Sequence, residues 1–172
     1  WSDNTIVTSA GGDVILSGQG GGTGKSGDNV GIAMHVSPVV TAGLLGNVVL
    51  AGIGGDGTGN YNTGLYINDN SVVTSSGGDV TVTGQGGRNS SDDHNSGVYI
   101  NNSSVITSSG GDVIVTGQGG GTGASANNHG VFLASGGVIS STSSGNVNVS
   151  GTGGNGSGDN NYGVFVENED ST

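Results

Sequence analysis

Asp79 and Asp112 are the acidic residues best placed to do chemistry together. They stand 33 residues apart in matching surroundings, Gly78-Asp79-Val80 and Gly111-Asp112-Val113. Asp13, Asn47 and Asn146 hold the equivalent places elsewhere in the chain. If those places stack, the two carboxylates come to about 5 Å from each other. Such a pair repels, so one pKa must rise or a cation must sit between them. Ca2+, a hard ion that takes oxygen ligands, is the candidate metal. The plainer role is a solvated turn residue whose side chain bonds nearby backbone N–H groups. The loops add Asp28, Asp56, Asp92, Asp93 and Asp159. Gly54-Gly55-Asp56-Gly57 lacks the beat of a calcium-binding nonapeptide.

A second set is aromatic. Tyr66, Tyr99, Phe132 and Phe165 also recur every 33 residues, with Ala33 before them. Side by side on one outer face they form a ribbon that could stack on glycan rings or make a lateral contact. The alternative is that a long loop, such as Gln85 to Ser96, folds over it.

Catalysis finds no such support. Lys25 and Arg88 occupy different loop columns, so they do not converge on a sugar acid. Asp92 and Asp93 are neighbours in a loop, unlike the separated carboxylates of a glycosidase. His35, His94 and His129 share no column, and neither a Ser-His-Asp pattern nor metal-ligand spacing appears. The sequence therefore implies no catalytic residues, no enzyme and no cofactor. A β-helical polysaccharide-degrading enzyme is the weaker alternative. Asn-x-Ser triplets at Asn89, Asn101, Asn102, Asn148 and Asn155 are expected by chance in an Asn- and Ser-rich chain; they matter only in a glycosylating secretory system.

Composition narrows the partners. The 172 residues include 40 glycines and one proline, with no Gly-X-Y register to suggest collagen. A net charge of −11 with only two basic residues disfavours nucleic acid and anionic membranes. No cysteine is present, so there is no disulfide framework and no thiolate metal site. No apolar run reaches membrane-spanning length, so direct membrane insertion is not expected.

The elements that must position these residues follow from one period. Gly31, Gly64, Gly97, Gly130 and Gly163 are spaced 33 residues apart, and Asn29, Asn62, Asn95, Asn128 and Asn161 keep the same step. A fixed period of that size marks stacked supersecondary units. Each unit holds three short β-branched runs bounded by Gly, Asn and Ser, which read as strands. Alternation turns Val14, Val48, Val80, Val113 and Val147 inward, with Leu16, Leu50, Val82, Val115 and Val149. The third run contributes Ile32, Leu65, Val98, Val131 and Val164, with Met34, Ile67, Ile100, Leu133 and Val166. In the first run two adjacent columns are apolar, and Val7, Val40, Val73, Ile106 and Ile139 are favoured as inward. Units two and five carry one extra residue before the second run and one fewer after it. Each circuit thus keeps one contour length, as closed coils in register require.

The sequence therefore predicts an all-β, right-handed parallel β-helix: a β-solenoid of five coils, three strands and about 33 residues per coil. One array spans residues 1–172, with repeats near 6–38, 39–71, 72–104, 105–137 and 138–170. The asparagine column should form a structural ladder of amide hydrogen bonds from coil to coil. Trp1 aligns with Ile67, and Ser171-Thr172 align with Ile6-Val7. Open edges there would pair with flanking coils of the same protein or with copies of this chain.

The segments from Val72 to Gly87 and from Asn95 to Asn102 resemble repeats of giant bacterial β-strand-repeat surface proteins and filamentous-haemagglutinin-like adhesins. The resemblance covers nearly the whole chain, although the haemagglutinin repeats themselves are shorter. It implies secretion to the bacterial cell surface and a part in a self-assembling fibre, filament or matrix. Glycans, or host or neighbouring cell surfaces, are the implied partners.

Overall fold

The computed structural model describes residues 5–168, and the end-residue alignments of Trp1, Ser171 and Thr172 lie outside them. Fifteen strands occur in the described residues, in chain order β1 (Ile6–Ser9), β2 (Val14–Gln19), β3 (Ile32–Met34), β4 (Val39–Ala42), β5 (Val48–Ile53), β6 (Leu65–Ile67), β7 (Val72–Ser75), β8 (Val80–Gln85), β9 (Val98–Ile100), β10 (Val105–Ser108), β11 (Val113–Gln118), β12 (Val131–Leu133), β13 (Val138–Ser141), β14 (Val147–Thr152) and β15 (Val164–Val166). Every third strand pairs with the next of its kind, giving three five-stranded sheets, β1-β4-β7-β10-β13, β2-β5-β8-β11-β14 and β3-β6-β9-β12-β15. All pairings are parallel. The chain is a parallel β-solenoid of five stacked coils.

Register follows the sequence columns. Val40 sits over Val73, Leu50 over Val82 and Tyr66 over Tyr99. Val14 pairs with Val48, a step of 34, and Val48 pairs with Val80, a step of 32. The extra corner residue of the second unit is absorbed before β5 and returned after it.

The core lies inside the three sheets. Val48, Leu50, Leu65, Ile67, Val73, Val80, Val82, Val98, Ile100 and Ile106 are fully buried. Val40, Val73 and Ile106 settle the inward column of the first run. In the terminal coils the same columns open: Val7 and Val147 are exposed, and Val166 is 66% exposed. Each inner coil is covered on both sides, whereas the first and fifth described coils are covered on one.

Two elements extend beyond the sequence runs. The first-run strands take in a fourth inward position, occupied by Ala42, Ser75 and Ser108, all buried. A buried hydroxyl needs a partner. The Ser75 hydroxyl donates to the Gly46 carbonyl and that of Ser108 to the Gly78 carbonyl, each at 2.8 Å. The second-run strands continue through an inward glycine that the sequence suggests as their end. A Cβ on Gly84 would lie 2.1 Å from the Gly97 carbonyl oxygen, and one on Gly97 would lie 2.4 Å from the Gln85 nitrogen. The second and third strands of a coil meet backbone to backbone there. That contact is the physical source of the 33-residue glycine beat.

The corner between third and first runs takes two consecutive left-handed residues: Asp69-Asn70 at φ 56° and 57°, and Asn102-Ser103 at φ 46° and 57°. Asn and Asp suit this conformation. Val36, at φ 64° in the first coil, does not. A β-branched residue there costs about 1–2 kcal/mol.

Candidate functional site

The asparagine column forms the expected ladder. Asn62, Asn95 and Asn128 are fully buried. The Oδ1 of Asn95 accepts from the backbone N–H of Asn62 at 3.0 Å, and that of Asn128 accepts from Asn95 N at 2.9 Å. The Nδ2 groups of Asn29, Asn95 and Asn128 donate to the next asparagine's Oδ1 at 2.6–2.9 Å. The Asn62 amide instead donates to the Gly57 and Gly59 carbonyls at 2.9 and 2.6 Å. Asn161 closes the column by donating to Gly156 and Gly158. These residues hold the long loop against the coil.

The acidic column is a second ladder, at the surface. The Oδ1 of Asp79 accepts from the Asp112 backbone N–H at 2.8 Å, and the Oδ1 of Asp112 accepts from Asn146 N at 2.7 Å. Asp13 serves Asn47, and Asn47 serves Asp79, in the same way. The bonds run between coils rather than within one turn. Among the described residues no group of three or more His, Cys, Asp or Glu side chains converges.

The aromatic column is a continuous stack. Ring centroids are 5.1 Å apart for Tyr66–Tyr99, 4.6 Å for Tyr99–Phe132 and 5.2 Å for Phe132–Phe165, with planes within 25° of parallel. The strand spacing places each ring over the face of the next. The faces are therefore turned toward each other, and the rings present mainly edges to the outside. His35 meets Tyr66 in a T-shaped contact at 4.9 Å. Each stacked pair contributes about 0.5–1.5 kcal/mol beyond burial. Burial raises the Tyr66 hydroxyl pKa, and its hydrogen bond to Asn101 opposes this.

The loop does not cover this stack. Its end turns into a wall alongside. One corner position, Asp28, Tyr61, His94, Asn127 and Asn160, is left-handed in every coil, with φ between 55° and 64°. Coil-to-coil bonds fix it, such as Tyr61 N to Asp93 O at 3.2 Å and His94 N to Ala126 O at 3.1 Å. Tyr61 and His94 stack at 4.9 Å. Two residues further on, His129 and Tyr162 stack at 5.5 Å with planes 3° apart. His129 also packs on Phe132 and Phe165, both at 5.0 Å. It is only 3% exposed, and its Nδ1 accepts from Tyr162 N at 3.4 Å. Burial, then the nearby His94, lowers its pKa to about 4.

Between this wall and the aromatic stack runs a groove along the solenoid axis. One stretch, bordered by His94, Asn127, Asn160 and Phe132, encloses about 430 Å³. The next, bordered by Asp28, Thr63 and Tyr66, encloses about 330 Å³, and both reach Tyr61 and Tyr99. Sequence columns show Tyr66, Tyr99, Phe132 and Phe165 but miss Tyr61, His94, His129 and Tyr162. The signal was a ring type standing in a column otherwise filled by Asp, Asn, Ser, Thr or Val. Lys25 and Arg88 lie outside this lining, and Arg88 donates to Gln85, at the end of β8, at 3.1 Å.

Comparison with protein-family models, curated proteins and solved structures finds no match to this chain.

Proposed function

We propose that the chain is a structural, non-catalytic segment of an extracellular bacterial fibre or adhesin, built by coil stacking. The observation that carries this reading is the unbroken register of all three sheets through five near-identical coils. A stack of this kind is extended by adding a coil, because each coil presents the same ladder that it accepts. The Asn and Asp/Asn columns add directional side-chain bonds to that ladder. The exposed inward residues of the first and fifth described coils, Val7 and Val166 among them, offer apolar surface that a like coil would cover. Flanking coils of the same protein, or another copy, would supply it. The likeness to adhesin repeats favours the cell surface as the setting.

Immunogold microscopy with antibody raised against this chain tests the reading on intact source cells. Decoration of surface filaments or a surface layer is the expected result. Labelling that needs permeabilised cells would overturn it. A denaturing gel of the same material then separates a subunit, near the 16.4 kDa of this sequence, from a longer solenoid.

A further inference from the structure

We infer that the axial groove beside the aromatic stack is a binding site for a linear, uncharged glycan. The inference rests on the groove's geometry and is independent of the fibre role. Four observations support it.

The first is shape. Two cavities share Tyr61 and Tyr99 and follow the coil axis, so the space is elongated and open rather than an enclosed pocket. Across five coils it runs for about 20 Å. An extended polymer fits that form better than a compact ligand does.

The second is strain. The left-handed corner takes Asp28, Asn127 and Asn160 in three coils, residue types that accept positive φ. Coil three places His94 there, at φ 64°, another type that accepts it, but coil two places Tyr61 there, at φ 59°. Stacking on His94 at most balances the backbone penalty at Tyr61, so the fold alone gives little reason for that ring. Unfavourable backbone retained beside a groove points to use of the side chain.

The third is the way the rings face. In the long stack Tyr99 and Phe132 have neighbours on both sides. The Tyr61–His94 pair is only two rings long, bounded by Asp28 above and Asn127 below. Its rings border the groove, and Tyr61 is 44% exposed. An exposed aromatic ring beside amide and hydroxyl groups matches the mixed apolar and hydroxyl surface of a sugar. Asn127, Asn160 and Ser96 provide those polar groups.

The fourth is charge. The lining has no lysine or arginine and includes Glu167, in a chain of net charge −11. An acidic polysaccharide would meet repulsion with no compensating cation. An uncharged chain would not.

Titration calorimetry on the whole chain tests this with cellohexaose, chitohexaose and mannohexaose, and with hexagalacturonate as the acidic probe. At least one neutral hexamer should bind, and hexagalacturonate should not. The double variant Tyr61→Asn/His94→Asn installs the residue that other coils use, so it should fold with an unchanged or higher melting temperature. It should weaken neutral-hexamer binding by about tenfold or more. Absence of binding by every neutral hexamer would overturn the inference. So would equal binding by the double variant, or tighter binding of hexagalacturonate.

Discussion

At the scale of single residues, His129 shows how a solenoid surface can bury a titratable group. Its ring lies between Tyr162, Phe132 and Phe165 and is 3% exposed. The packed site favours the neutral imidazole, and the pKa falls from 6.5 to about 4. The sign of the linkage follows directly. Between these two values the unfolded chain binds a proton that the folded chain refuses, so stability falls as pH drops through that window. The loss should total about 2–3 kcal/mol by the lower end. His129→Phe keeps an aromatic ring against Tyr162 and removes the titration. Urea melts at pH 7 and pH 4.5 should show a larger drop for the native chain than for His129→Phe. Equal drops would mean that the imidazole titrates as it does in water.

At the scale of elements, side-chain ladders fasten loops to strands. Asn95 is the clearest case, because it acts as acceptor and donor while fully buried. Its Oδ1 receives the Asn62 N–H, and its Nδ2 donates to the Asp92 carbonyl and to Asn128 Oδ1. Asn95→Ala removes these bonds and leaves the buried Asn62 N–H without its acceptor, at a cost of about 1–3 kcal/mol. Asn89→Ala, at an exposed loop position, should change stability by less than about 0.5 kcal/mol. Denaturant midpoints of the two variants check the contrast. The same scale explains what the sequence could show. Inward columns such as Leu50 over Val82 were legible because alternation and a fixed period both act on every residue of a strand. The ladder at Asn95 was legible because one residue type repeats without exception. The left-handed corner was not, since Asp28, Tyr61, His94, Asn127 and Asn160 share a backbone conformation and no side-chain type. The continuation of β8 through Gly84 was hidden too, because glycine ordinarily marks a strand's end. Here its missing Cβ lets two strands of one coil touch. The facing of the aromatic rings required ring angles, which spacing alone does not supply.

At the scale of the whole molecule, the stack should tolerate loss of a complete period and nothing else of similar size. Removing residues 72–104 joins Ser71 to Val105, the neighbour that Ser104 has in the intact chain. Val40 would then rest on Ile106, Leu50 on Val115, Tyr66 on Phe132 and Asn62 on Asn128, like on like in every case. Stability in a solenoid is close to a sum over repeats and their interfaces. The shortened chain should therefore keep its β-sheet circular dichroism and unfold in one transition. Its denaturant m-value should fall by about one fifth, in step with the surface lost. Removing residues 72–88 deletes the first two strands of a coil and leaves the third. That chain would have to lay β9 beneath β6 with no closed circuit to carry it there, and every later column would be displaced from its partner. It should be unfolded or aggregated. If the two deletions behaved alike, the coil would not be the unit of stability, and growth by addition of coils would lose its physical basis.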